Sequence, residues 1–347
     1  MVLIHDVITA ENVAGYWNAT QENVDLTTGE KFFPAKKQLG LKLSFVKGAS
    51  GKAVVLRPSA FDSKVTLRDR MNLTVTETNM PFFKEAMLVK EEDRQQLNVL
   101  SQTGNQQLID TVVKGIFDDE KHLVSGALAR IEAMRMQVLA TGKISFVNNG
   151  VAQEFDYGVN DKNKATVTTG WAKADKATPL ADVEKAVQAL EEIGSKAELL
   201  ILNAKTFALL KNAASTLTTI KPLAPKGAGV TKRELIEYLA DEFGLTVVIE
   251  SGTYIDDDGT AKKFYPDGYV TLAPNTQLGN TVFGTTPEES DLMGGAISGV
   301  DVQIVETGIA VTTKKIDDPV NVQTKVSMIT LPSFEQLDNV YMLDIEP

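Results

Sequence analysis

Between residues 105 and 140, apolar side chains return with helical period for longer than an ordinary globular helix requires. Leu108, Ile109, Val112, Val113, Ile116, Phe117, Leu123, Val124, Leu128, Ile131, Met134, Val138 and Leu139 form one stripe at steps of three and four. Glu120 alone interrupts its spacing. At about 1.5 Å per residue such a helix would span roughly 54 Å. A compact ball of this chain length has a radius of gyration of only about 20 Å, so the chain is expected to be organised along this helix. Thr141-Gly142 supplies a stop, since glycine takes the left-handed conformation that ends helices. Gly115 and Gly126 lie inside, each costing about 1 kcal/mol relative to alanine. Packing of the stripe must therefore hold the helix together; the competing expectation is a coiled coil, or two helices broken near Gly126.

A chain of 347 residues with 43% hydrophobic content has room for two or three structural units around real cores. Cysteine is absent, which excludes disulfide staples, thiolate nucleophiles and cysteine metal sites. The sequence opens without a basic segment followed by an apolar run, and nowhere do 18 consecutive apolar residues occur, so a soluble, unexported protein is expected. The net charge of −11 argues against a surface that grips nucleic acid throughout, because that requires phosphate-neutralising Lys and Arg. The charge is unevenly placed. Residues 31–90 carry 12 Lys/Arg against 4 Asp/Glu, a net of +8, whereas residues 234–301 carry 2 against 13, a net of −11.

Residues 1–30 read as an arm, with Thr9 capping a short helix through Val13, Tyr16 and Trp17 and a polar run after it. Trp17 and Phe32-Phe33 are its apolar anchors, suited equally to a neighbour and to the body of the chain. Residues 38–90 read as short β-segments at 41–45, 53–57, 65–68, 73–78 and 86–89, too often interrupted by charge to build a core. An extended hairpin laid against something else is the economical reading, with a nucleic-acid grip or a solvated loop as rivals. After the long helix, 143–148 and 151–157 flank Asn149-Gly150, the dipeptide favoured in two-residue hairpin turns. Thr178-Pro179 then opens a helix carrying Leu180, Val183, Val187 and Leu190 and ended by Gly194. A strand at 199–202, a helix with Phe207, Leu209 and Leu210, a capping box from Thr231 to Glu234, and a strand at 245–249 follow. This alternation over about 180–280 predicts an α/β domain inserted between halves of a strand-and-helix domain. The strands of the tail, 297–312 and 320–331, are expected to pair with the hairpin near 150.

Catalytic constellations are hard to find. His5 and His122 have no ligand at metal spacing. Asp256-Asp257-Asp258-Gly259 lacks the late bidentate Glu of a calcium loop and sits between strand-like Tyr254 and Phe264-Tyr265, so a turn is expected. Lys226-Gly227-Ala228-Gly229 lacks the phosphate-loop pattern and follows no strand. No enzyme activity, cofactor or metal is therefore expected. A spine, a basic β-arm without a core and an α/β domain without chemistry describe a piece that contacts copies of itself.

The run from Trp171 through Asp175, Lys176, Thr178 and Pro179 to Asp182 resembles the segment that joins hairpin to inserted domain in lambda-type major capsid proteins of tailed phages. The order of elements is similar too, as are Tyr254 followed by Lys263-Phe264, Asn275-Thr276-Gln277 after a strand, and the ending Val311-Thr312-Thr313, Asp318-Pro319, Leu331-Pro332. The resemblance covers essentially the whole chain and is to a family, phage major capsid protein E.

The resemblance implies an α+β fold of the Hong Kong 97 type. Its parts would be an N-terminal arm (1–37), an extended β loop (38–90), a peripheral domain with the spine helix (91–179 and 296–347) and an α/β axial domain (180–295). It implies a homo-oligomer of hexamers and pentamers forming an icosahedral shell around double-stranded DNA, without sequence-specific binding. Such a protein is assembled in the host cytoplasm, ends in the virion and contacts no membrane. No long scaffold-like or protease-removed N-terminal segment is seen, so a separate scaffolding protein is expected, with a portal and a possible decoration protein. The alternative is an encapsulin-like nanocompartment shell enclosing a protein cargo. In a shell of this fold the extended loop crosses a neighbouring subunit, so Lys42, Lys47, Lys52, Arg57, Lys64, Arg68 and Arg70 should meet carboxylates of another chain, with Asp118, Asp119 and Glu120 as candidates beside 91–93.

Overall fold

The computed structural model describes residues 7–20, 27–47, 74–89, 91, 92, 94–96, 99, 106–148, 151–223, 225, 228–256, 258–294, 300–317 and 320–347. In chain order the first elements are α1 (Ala10–Thr20), α2 (Thr28–Phe32), β1 (Ala35–Lys37), β2 (Lys42–Lys47), β3 (Thr74–Asn79), β4 (Phe82–Val89) and the spine α3 (Gln106–Thr141). Then come β5 (Lys143–Asn148), β6 (Val151–Asp156), β7 (Lys164–Thr166), α4 (Pro179–Ile193), β8 (Leu199–Asn203), α5 (Ala204–Asn212), α6 (Ala214–Ile220), α7 (Lys232–Phe243) and β9 (Thr246–Glu250). The remainder is β10 (Thr253–Ile255), β11 (Ala261–Lys263), β12 (Tyr269–Ala273), β13 (Asn280–Phe283), α8 (Pro287–Gly294), β14 (Val300–Val305), β15 (Ile309–Asp317), β16 (Val320–Ser333) and β17 (Tyr341–Asp344).

Two units emerge from the contacts, one of Met1–Leu43, Glu77–Glu132 and Asn280–Ser333, the other of Ser44–Thr76, Ala133–Gly279 and Phe334–Pro347. The first is built on the sheet β1-β13-β16-β15-β14, with β4 also paired to β16. Side chains alternate faces along a strand. Val322, Val326 and Met328 of β16 therefore point with Val311 and Ile309 of β15 to the face covered by Ile116, Leu123, Val124 and Ile131 of α3 and by Val13 and Trp17 of α1. The intervening Lys325 and Ser327 bind Glu288 of α8. Thr9 caps α1 as the sequence predicts, its Oγ1 accepting from the Asn12 N–H at 3.2 Å. Trp17, Phe32 and Phe33 are buried in their own chain, so these anchors fold back on the body. The N-terminus of α2 is held from α3: Glu132 accepts from Thr27 Oγ1 at 2.7 Å and from the Gly29 N–H at 3.0 Å.

The expected pairing of the tail with the hairpin near 150 is overturned. β14, β15 and β16 pair with one another, with β13 and with β4, while β5 and β6 form a two-stranded ribbon of their own. The reason is length and register: β16 has 14 residues, enough to take β15 and β4 over most of its run and β13 at its end. Residues 82–89, expected at the end of the extended loop, are thus paired along their length to β16.

The second unit contains the sheet β7-β17-β12-β8-β9, in which β8 pairs parallel with β9 and antiparallel with β12. All five residues of β8 are buried, as its unbroken apolar run requires of a central strand. Leu180, Val183 and Leu190 of α4, Phe207 and Leu210 of α5, and Leu235 and Leu239 of α7 close the core. Helix ends follow local chemistry. Thr231 and Glu234 form a reciprocal capping box on α7, and Gly194 and Gly244 end α4 and α7 in left-handed conformation. Thr178 occupies the N-cap position of α4 but its side chain makes no capping bond; the fixed φ of Pro179 at the first turn starts that helix. β10 and β11 pair antiparallel with Tyr254 stacked on Phe264 at 5.1 Å, and the Gly259 N–H donates to the Asp256 carbonyl at 2.8 Å as in a turn; Asp257 lies outside the described residues.

Candidate functional site

The candidate surface rests on the β2–β3 ribbon and on the acidic turn of α3. The ribbon is two-stranded and, among the described residues, joins neither larger sheet. An isolated two-stranded hairpin is marginal in water. Leu43 at its base is fully buried, yet Leu39 and Leu41 stand 78% and 56% exposed. Lys42 opens β2 with its Nζ 3.9 Å from Glu77, an exposed pair with modest screening-limited value. Lys47 closes β2. Lys52, Arg57, Lys64, Arg68 and Arg70, with the expected strands at 53–57 and 65–68, lie outside the described residues.

On α3 the three carboxylates part company. Asp119 is exposed, while Asp118 is half-buried and accepts from the Tyr16 hydroxyl at 2.5 Å. That bond holds the Tyr16 phenol above its ordinary value. Glu120 is 2% exposed and accepts from Thr324 Oγ1 at 2.7 Å, so it faces the sheet of its own chain and leaves the set of carboxylates open to a neighbour. The sequence showed Glu120 as an interruption of the stripe; its partner, 204 residues away, left no local signal.

Among the described residues no group of three metal-ligating side chains comes together, and His122 stands exposed on α3. His5 lies outside the described residues. No described helix is long and apolar enough to cross a membrane.

The sequence pattern described as "Phage major capsid protein E" matches residues 9–343. The chain belongs to this family. A member of the phage major capsid protein E family is a structural shell protein, not an enzyme, and its place is the capsid of the virion. Solved structures give the fold of this capsid-family chain. A protein assigned as the capsid protein of a prophage in E. coli CFT073 aligns at TM-score 0.58 and 15% identity, over 97% of this chain and 99% of that one. A phage-related protein from Bordetella bronchiseptica RB50 aligns at TM-score 0.50 and 13% identity, over 97% and 96%. The fold is of the Hong Kong 97 type, as the resemblance implied. The holo-SrpI encapsulin complex of Synechococcus elongatus PCC 7942 aligns at 0.42 and 10% identity over 95% and 94%, too slight a likeness to argue from. No curated protein matches the capsid-family chain in sequence.

Proposed function

We propose that this chain is the major capsid protein of a tailed phage, assembling as hexamers and pentamers into an icosahedral shell around double-stranded DNA. The family match over residues 9–343 carries the reading. The segment leading into the β2–β3 ribbon supports it physically, since Leu39 and Leu41 stand exposed just before a ribbon that, among the described residues, joins neither larger sheet, and they invite cover from a second copy. In this reading the arm is 1–37, the extended loop 38–90, the peripheral domain 91–179 with 296–347, and the axial domain 180–295. Assembly takes place in the host cytoplasm, with a separate scaffolding protein, a portal and room for a decoration protein. The basic loop residues Lys42 to Arg70 contact Asp118 and Asp119 of a neighbour.

Particles purified from infected or induced cells test the contents. Nuclease-resistant double-stranded DNA inside them is the expected result. A stoichiometric protein cargo without DNA would favour the nanocompartment reading instead.

A further inference from the structure

The seam between α3 and the sheet contains one feature that the packing does not need. Glu120 projects from α3 at 2% exposure into a surface otherwise made of Ile116, Leu123, Val124, Val322 and Val326. One oxygen accepts from Thr324, itself 1% exposed, and Oε2 is buried without a hydrogen-bond partner among the described residues. We propose that Glu120 is a proton-operated catch on this seam, holding α3 against β16 when its carboxyl is protonated and loosening it when the carboxyl ionises.

The surroundings decide the direction. In register with Thr324 lie Thr313 on β15 and Met87 on β4, neither of them titratable. Farther along the same face, Lys315 of β15 and Glu85 of β4 are both exposed, and Asp301 of β14 is engaged by the Ala10 N–H of α1 at 3.0 Å. From α1, Tyr16 is turned to Asp118. On α3 itself the neighbour is Asp119, of the same sign. Among the described residues, an ionised Glu120 would thus be a buried charge with one hydrogen bond and no cation beside it. Burial pushes the carboxyl from 4.5 up to about 7, with Thr324 opposing and Asp119 reinforcing the rise. Because the closed seam binds the proton more tightly than the open one, its stability is full below about pH 4.5, falls as pH rises toward about 7, and is level above that.

Hydrogen exchange of intact particles, followed by mass spectrometry on peptides covering 112–128 and 320–329 and corrected for intrinsic amide chemistry, reads the seam directly. Opening is expected to rise by up to about tenfold per unit between roughly pH 5 and 7, then level off. Glu120→Gln should flatten the profile. Thr324→Val should carry the plateau to higher pH, since it removes the bond that favours the ionised form. His122→Asn, which deletes the exposed imidazole two residues along, should leave the wild-type profile unchanged. A profile that is flat in the wild type, or that survives Glu120→Gln, overturns the proposal, as does its loss in His122→Asn. Should Glu120→Gln fail to yield particles, Thr324→Val decides alone, and an unmoved plateau is then fatal.

Discussion

Gly142 turns the chain out of α3 at φ +69°, and a methyl group built on it would lie 2.0 Å from Val159 Cγ2. Gly115 and Gly126 lie within the same helix with open space where a Cβ would stand. Substitution by alanine should therefore act with opposite sign. Gly142→Ala is expected to cost roughly 1–3 kcal/mol from strain and collision, while Gly115→Ala and Gly126→Ala should each add about 0.5–1 kcal/mol. Urea denaturation followed by circular dichroism measures both. These glycines are legible in sequence as a stop and two weak points, but only the fold shows that, among the described residues, the weak points have no neighbour to obstruct a side chain. Glu132 marks the limit of such reading. It sits in the stretch of α3 that is buried on nearly every side and clamps Gly29, whose Cβ would fall 2.6 Å from its carboxylate, across 103 residues of sequence. A contact so distant leaves nothing in the local pattern.

At the scale of elements, α3 is one unbroken helix of 36 residues, as the stripe predicts, and the competing break near Gly126 does not occur. Its stripe, uniform in sequence, is unevenly buried. Leu108 is 48% exposed and Leu128 half-buried, whereas Leu123 is 8% exposed and Val124 fully buried. Leu123→Asp should then cost about 3–5 kcal/mol as a buried, unpaired charge, and Leu128→Asp clearly less. Soluble yield and the denaturation midpoint check the ranking, which the periodicity alone would not have supplied. Elements with local causes were readable: the capping box at Thr231, the glycine stop at 194, the apolar run of β8. Strand partners were not. β7 and β17 complete the sheet of β8 and β12 from outside the expected 180–280 segment, and β4 joins β16 across more than 230 residues. Alternation tells which face a strand buries, and many partners satisfy it equally.

For the whole molecule, the charge division of +8 over residues 31–90 against −11 over 234–301 has to be reconciled with exposed ion pairs worth only about 0–1 kcal/mol each. Repetition supplies the leverage, because one weak contact recurs in every subunit of a shell. Reversing Lys52, Lys64 and Arg68 together to Glu should weaken capsomer formation without lowering the unfolding midpoint. Rising salt should narrow the gap from wild type, since charges more than about 8 Å apart are screened at physiological ionic strength. Unchanged assembly with reduced DNA retention would assign the loop to nucleic acid. Asp118, Asp119 and Glu120 look alike in sequence, and only burial separates them. The most direct test of the account is electron cryomicroscopy of the purified protein, alone and with its co-expressed scaffold. Closed icosahedral shells with hexameric and pentameric capsomers are the predicted result; a monodisperse monomer or small oligomer under every assembly condition would contradict it.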